Sequence, residues 1–277
     1  MESKVFLITG VSSGFGKAFA QGALAAGHRV IGTLRSAEAA SAFTAHPSGR
    51  ALGVLLDVAQ QEAIPNAVAA AEKHFGPIDV LVNNAGYGLE GILEETTLEE
   101  VRKQFDANVF GAVGMMKAVL PGMRARRSGR IVNVTSMGGF ITMPGITAYC
   151  GSKFALEGIS EALGKEVKSF GIHITALAPG QFRTDWAGRS MVRAERSIAD
   201  YDAVMDPIRA ARLAKSGNQQ GDPRKAAQAL LRLVASDNPP IRLYLGADAL
   251  KLVGEKIEAM REEIAAWEAV SRSTDFT

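Results

Sequence analysis

The run Tyr149-Cys150-Gly151-Ser152-Lys153 places a phenol and an ammonium four residues apart. On a helix both would share one face, about 5–6 Å apart at Cβ. A free tyrosine ionises near pH 10, too high for easy proton exchange at neutrality. A nearby positive charge favours phenolate, so Lys153 is expected to bring Tyr149 toward the range of an acid–base catalyst. A plain surface pair on a helix is the competing explanation. Cys150 sits between the two but would point about 100° away from Tyr149 on a helix. No histidine is placed to deprotonate it, so it reads as a small packing residue.

A second chemical signal lies near the start. Thr9-Gly10-Val11-Ser12-Ser13-Gly14-Phe15-Gly16 follows a strand-like run and opens a helix-like one. Glycines there let backbone approach an anion, and a helix N-terminus offers free N–H groups. A dinucleotide pyrophosphate suits that description; an unliganded turn is the alternative. A Walker A loop does not fit, because Gly10 and Gly16 are one residue too far apart and Ala18 follows Lys17. Gly10-Val11-Ser12-Ser13-Gly14 also reads as G-x-S-x-G, the nucleophile elbow of hydrolases. That chemistry needs a later acid and histidine. The four histidines, His28, His46, His74 and His173, include none in a late glycine-flanked loop.

The elements that must hold these groups alternate. Strand-like runs cover Val5–Thr9, Arg29–Leu34, Ala51–Leu56, Val80–Asn83, Arg130–Thr135, His173–Ala178 and Ile241–Leu245. The first six carry few polar residues, as strands buried on both faces do. Helix-like runs include Gly16–Ala26, Ile64–Phe75, Leu98–Met123 and Ala148–Phe170. This alternation predicts a single α/β domain over residues 1–277, a Rossmann-like doubly wound parallel sheet of about seven strands with helices on both faces. Ligands then bind at the strand C-termini. Residues 185–221 are polar and long for a connection, and are expected to form a substrate lid. Residues 249–270 are expected to form an amphipathic C-terminal helix, either a solvated cap or a subunit contact.

The turn spacing T-G-x-x-x-G-x-G, taken with Y-x-x-x-K, resembles the short-chain dehydrogenase/reductase family over about Val5 to Thr184. The resemblance implies an oxidoreductase that moves a hydride between NADP(H) or NAD and a carbonyl or secondary alcohol. It implies a catalytic set of Asn108, Ser136, Tyr149 and Lys153. Tyr149 would be the general acid/base, and Ser136 would orient the substrate oxygen. Lys153 would also hold the nicotinamide ribose, and Asn108 would hold a water linking Lys153 to solvent. Ser136 ends a predicted strand, thirteen residues before Tyr149, and Asn108 borders an apolar helical stripe. A structural amide satisfied by backbone is the other reading of Asn108.

The same resemblance assigns Gly10, Ser12, Ser13, Gly14, Phe15 and Gly16 to the cofactor. Asp57-Val58 would lie near the adenine, Asn84-Ala85-Gly86 on the adenosine side, and Pro179, Gly180 and Thr184 near the carboxamide. Leu34 occupies the position where an NAD-selective site has a carboxylate, and Arg35 follows. A guanidinium can hold a 2′-phosphate, so NADP(H) is expected over NAD. Arg35 merely stacking on adenine is the other possibility. A cofactor-binding protein without turnover is the alternative function, opposed by the complete four-residue set.

Bulk properties narrow the remaining classes. The 277 residues are 47% hydrophobic and 22% charged, with a formal net charge of +2. Such a balance gives no footprint for nucleic acid; the run Arg124-Ala125-Arg126-Arg127 is short enough for a solvated loop. One cysteine excludes a disulfide framework and a C-x-x-C metal pair. The N-terminal run has no signal-peptide pattern, and no apolar stretch reaches membrane-spanning length. A cytoplasmic protein that binds no metal, nucleic acid or membrane is expected. The substrate should be a largely apolar carbonyl or alcohol compound, met by Ser136, residues 137–146 and the 185–221 insert. Similar proteins pair the helices matching Leu98–Met123 and Ala148–Phe170, which implies a homodimer or homotetramer.

Overall fold

The computed structural model describes residues 2–184, 186, 188 and 190–276. Asp185, the first residue of the expected insert, lies outside the described residues. Seven strands form one parallel sheet: β1 (Val5–Ile8), β2 (Arg29–Leu34), β3 (Ala51–Leu55), β4 (Val80–Asn83), β6 (Gly129–Val134), β7 (Ile172–Pro179) and β9 (Arg242–Leu245). Their order is β3-β2-β1-β4-β6-β7-β9. The chain reverses its direction of growth between β1 and β4, which opens a crevice at their C-terminal ends. Two three-residue strands, β5 (Gly88–Glu90) and β8 (Met191–Arg193), make a separate parallel pair.

The strands are rich in Val, Ile and Leu because both sheet faces are covered. On one face Phe6, Ile8, Val30 and Val82 pack with Phe19 of α1 (Gly14–Ala25) and Leu230 of α8 (Pro223–Ala235). On the other, Leu7, Ile31, Leu81 and Ile131 pack with Val68 of α3 (Ile64–Phe75) and Met115 and Val119 of α5 (Gly111–Ala125). α2 (Ala37–Thr44) crosses so closely that a Cβ on Gly53 would meet the Ala40 carbonyl oxygen, which only glycine allows.

The expected helix over Leu98–Met123 is not continuous. α4 (Leu98–Phe105) leads into a π-helical turn over Asp106–Phe110, and α5 follows. Thr97 and Glu100 cap α4 reciprocally. The π turn carries Asn108, and such turns concentrate at functional places. α6 (Thr147–Val167) carries Tyr149 and Lys153. Residues 190–221 hold β8 and α7 (Asp202–Lys215). α9 runs Ala247–Arg272, slightly longer than the expected 249–270. No described helix is long and apolar enough to cross a membrane.

Candidate active site

One large cavity of about 840 Å³ lies along the C-terminal ends of the strands. The turn after β1 forms its floor. Gly10 (φ 71°) and Gly14 (φ 53°) adopt left-handed backbone that favours glycine. A Cβ on Gly16 would sit 2.1 Å from the Gly10 carbonyl oxygen, so this glycine lets α1 close onto the turn rather than facing the cavity. Thr9 knits the turn to β4: its Oγ1 accepts the N–H groups of Asn84 and Ala85, both at 2.9 Å. Asn84 Nδ2 returns hydrogen bonds to the Thr9 and Gly10 carbonyls at 2.8 and 3.1 Å. Gly10 N–H donates to Thr33 Oγ1 at 3.1 Å.

These bonds hold an anion-sized cradle open. Ser13 is the N-cap of α1, yet its side chain caps no N–H group. Free N–H groups at that helix end therefore remain available for a phosphate. Gly10, Ser12, Ser13, Gly14, Phe15, Arg35, Asp57, Val58, Asn84, Ala85, Gly86, Pro179, Gly180 and Thr184 all line the cavity. Among the residues expected to hold a dinucleotide, Gly16 alone does not. Arg35 is exposed at the end of β2 and makes no ion pair among the described residues. Among the described residues, two buried polar atoms of lining residues, Trp186 Nε1 and Gln219 Oε1, have no protein partner. The residues fit a bound dinucleotide and a polar substrate group.

At the far end Ser136, Tyr149 and Lys153 converge on the cavity wall. Tyr149 and Lys153 are each 6% exposed. Lys153 Nζ donates to the Val134 carbonyl at 2.9 Å and lies 5.8 Å from the centre of the Tyr149 ring. Ser136 Oγ accepts the Gly138 N–H at 3.0 Å and lines the same wall as Tyr149. The expected fall in the Tyr149 pKa is absent from the protein alone. Burial pushes the phenol up to about 12, against a smaller downward pull from Ser136. Burial also pulls Lys153 down to about 8, opposed by the Glu157 carboxylate. Desolvation outweighs the pairwise attraction because both groups are cut off from water.

The side chain of Asn108, the residue expected to hold a water, is engaged by protein partners. Its side chain stands behind the wall, while its neighbour Ala107 reaches the cavity. Asn108 Oδ1 accepts the Tyr87 N–H at 3.1 Å. Its Nδ2 donates to the Tyr87 carbonyl at 3.0 Å and to Ser152 Oγ at 3.1 Å. The amide is spent on holding the β4–β5 connection against α6. Cys150 is buried, and burial raises its thiol pKa, as expected of a packing residue. No histidine lines the cavity among the described residues, which removes the hydrolase reading.

Glu157 was not singled out from the sequence, whereas the insert was expected to meet the substrate. Glu157, one turn beyond Lys153, accepts from Thr135 Oγ1 at 2.6 Å and pairs with Arg242 at 2.5 Å. It thereby anchors the residue between Val134, which holds Lys153, and Ser136. Its i+4 spacing from Lys153 was the available signal. From the insert, Ile208, Ala211, Arg212 and Lys215 of α7 join the wall. Trp186 packs against Tyr149 with ring centres 5.1 Å apart.

Comparison with known proteins agrees with this geometry. The short chain dehydrogenase family model matches residues 4–193. The chain belongs to the short-chain dehydrogenase family. This short-chain dehydrogenase is therefore an oxidoreductase acting between CH–OH and C=O groups. It is 38% identical over 247 residues to 3-ketodihydrosphingosine reductase of Bacteroides thetaiotaomicron, covering 89% of each chain. A solved short-chain dehydrogenase from Streptomyces avermitilis matches it with a TM-score of 0.91 and 43% identity, over 99% of this chain and 100% of the other. ElxO, solved with NADP bound, matches with a TM-score of 0.75 and 27% identity, over 90% of this chain and 100% of the other.

Proposed function

We propose that the protein is an NADP(H)-dependent carbonyl reductase or secondary-alcohol dehydrogenase with Tyr149 as its general acid/base. The observation that carries this reading is the convergence of Ser136, Tyr149 and Lys153 at one end of a cavity whose other end holds the α1 turn and Arg35. The turn residues Gly10–Phe15 would bind the pyrophosphate, and Arg35 the 2′-phosphate. Asp57 and Val58 would meet the adenine, Asn84–Gly86 the adenosine side, and Pro179, Gly180 and Thr184 the carboxamide. ElxO, similar over its whole length, was solved with NADP. When bound, NADPH supplies the hydride.

The chain's own residues do the rest. Ser136 hydrogen-bonds the substrate oxygen and fixes its distance from Tyr149. Tyr149 passes its proton to that oxygen as the carbonyl carbon is reduced, leaving a phenolate. A phenol held near pKa 12 carries its proton through the neutral range, and the charge of Lys153 eases its release. Lys153 stabilises the phenolate by charge and supports its reprotonation. Asn108 is a positioning residue acting through Ser152 and the Tyr87 backbone.

The substrate end is walled by Met137, Met143, Ile146, Trp186, Val192 and Ile208, which favours a largely apolar carbonyl compound. The relative from Bacteroides thetaiotaomicron is named a 3-ketodihydrosphingosine reductase, for a keto substrate. Residues 190–221 form the lid of this pocket. The protein works as a single catalytic domain in the cytoplasm, as a homodimer or homotetramer.

A panel of apolar ketones with NADPH oxidation as readout tests the reading. Tyr149→Phe should bind NADPH normally, by fluorescence titration, and lose at least a hundredfold in kcat, the usual scale of a general acid. Unchanged turnover in Tyr149→Phe would remove Tyr149 from the chemistry.

A further inference from the structure

The C-terminal helix α9 leaves the domain. Its first turns are rooted by Ala249 and Val253, buried with Met137 and Ile141. From Gly254 onward every described residue is exposed. That stretch of the helix reaches roughly 28 Å into solvent at 1.5 Å per residue. Its apolar residues do not scatter. Leu250, Val253, Ile257, Met260, Ile264 and Trp267 alternate spacings of three and four, the a and d positions of a coiled-coil seam. Ile264 is 67% and Trp267 65% exposed. Val253 faces the domain, and the other five leave an unpartnered apolar surface in water.

Charge selects what covers it. α9 carries six acidic and four basic side chains, Asp248, Glu255, Glu258, Glu262, Glu263 and Glu268 against Lys251, Lys256, Arg261 and Arg272. A net negative helix is unsuited to an anionic lipid surface. Most of its charges are paired along the helix: Lys251 with Glu255, Arg261 with Glu258 and Arg272 with Glu268. Two residues flanking the seam at g positions, Lys256 and Glu263, have no ion pair among the described residues. Flanking charges of this kind set partner and orientation.

We infer that α9 pairs antiparallel with α9 of a second copy of this chain, about a twofold axis beside Glu258 and Ala259. This register stacks Ile257 on Met260 and Leu250 on Trp267, each layer twice, and sets Ile264 beside the turn where Val253 enters the domain. It also brings each unpaired Lys256 to the second copy's Glu263. Two copies in parallel would instead set Lys256 against Arg261 and Glu263 against Glu268. Sliding the antiparallel pair one heptad outward would set Glu263 on Glu263. Only the proposed arrangement turns the unpaired charges into attractions. The contact is isologous, so it closes and does not propagate. It is separate from the α4, α5 and α6 faces, so an enzyme already paired there would become a tetramer.

The molar mass in solution across a dilution series, by sedimentation or light scattering, tests this. Ile264→Asp should halve the mass, and Lys256→Glu should weaken association at least tenfold. The double variant Lys256→Glu/Glu263→Lys should restore the wild-type mass. Unchanged melting of each variant would show that the domain itself is intact, as exposed positions allow. In a mixture of isotopically light and heavy chains, zero-length carbodiimide coupling should yield a mixed Lys256–Glu263 peptide. Equal mass for wild type and Ile264→Asp would overturn the proposal. So would a double variant that stays dissociated, the mark of the slid register. A double variant that associates more tightly than wild type would indicate the parallel pair and equally overturn it. Wild type that stays a single unpaired helix in solution but sediments with phosphatidylserine vesicles would assign the seam to a membrane instead.

Discussion

Lys153 is an ammonium buried in a wall that needs its charge. Its pKa falls from 10.5 to about 8 because burial penalises the charged form, with Glu157 opposing. Between those values the unfolded chain holds a proton that the folded chain has lost. Unfolding then binds protons, so stability rises with pH through this window. Charged Lys153 thus costs the fold stability below pH 8, and the cost is relieved on going to pH 10. Lys153→Met removes the dependence. Denaturant melts at the two pH values should show wild type gaining about 2–3 kcal/mol relative to Lys153→Met, at 1.36 kcal/mol per unit. A parallel pH response in both proteins would mean Lys153 keeps an ordinary pKa. This residue also marks the limit of reading from sequence. Tyr149, Lys153 and Ser136 were legible because helix periodicity and short motifs are local. Their acidities were not, because spacing along a helix carries the neighbour's charge but not the depth of burial. The side-chain partners of Asn108 were illegible for a similar reason: Tyr87 and Ser152 lie 21 and 44 positions away.

Among elements, the main strands were legible because Val, Ile and Leu runs bounded by turns have few other folds. β5 and β8 were not, since three residues give no periodicity. Yet this pair decides where the insert lies. Glu90 ends β5 with its side chain only 3% exposed, and it receives two arginines from α7. Arg209 Nε lies 3.2 Å from one carboxylate oxygen and Arg212 Nη1 2.7 Å from the other. The partners are 119 and 122 positions apart, beyond any local pattern. Removing one charge from such a buried cluster leaves the others uncompensated. Glu90→Gln should therefore loosen α7 from the substrate wall while leaving the cofactor end intact. The expected result is a KM for the ketone about tenfold higher, or about 1.4 kcal/mol, with NADPH affinity unchanged. Faster cleavage of residues 202–215 by a dilute protease should accompany it. Loss of NADPH affinity to the same degree would show that Glu90 supports the whole domain rather than the lid.

At the scale of the molecule, strand order makes one cavity out of distant stretches of chain. The strand–helix alternation predicted the parallel sheet. The crevice between β1 and β4 follows from right-handed crossovers winding both ways from the centre. A dinucleotide in that crevice would touch the turn after β1, the ends of β2, β3 and β4, and the residues after β6 and β7. Binding would thus tie together both halves of the sheet, and an unfolded chain offers no such site. Ligand at a hundred times its Kd stabilises by about 2.7 kcal/mol. For a chain of this size each kcal/mol moves the melting point by roughly 2–4 °C. Saturating NADPH should then raise Tm by roughly 5–10 °C on those two scales. NADH at the same concentration should raise it less, because Leu34 stands where a carboxylate would accept the ribose 2′-OH and the guanidinium lacks its phosphate. Arg35→Ala should lower the NADPH shift to the NADH value and leave the NADH shift unchanged. If Arg35→Ala lowered both shifts equally, the guanidinium would be stacking on adenine, and cofactor preference would reside elsewhere in the crevice.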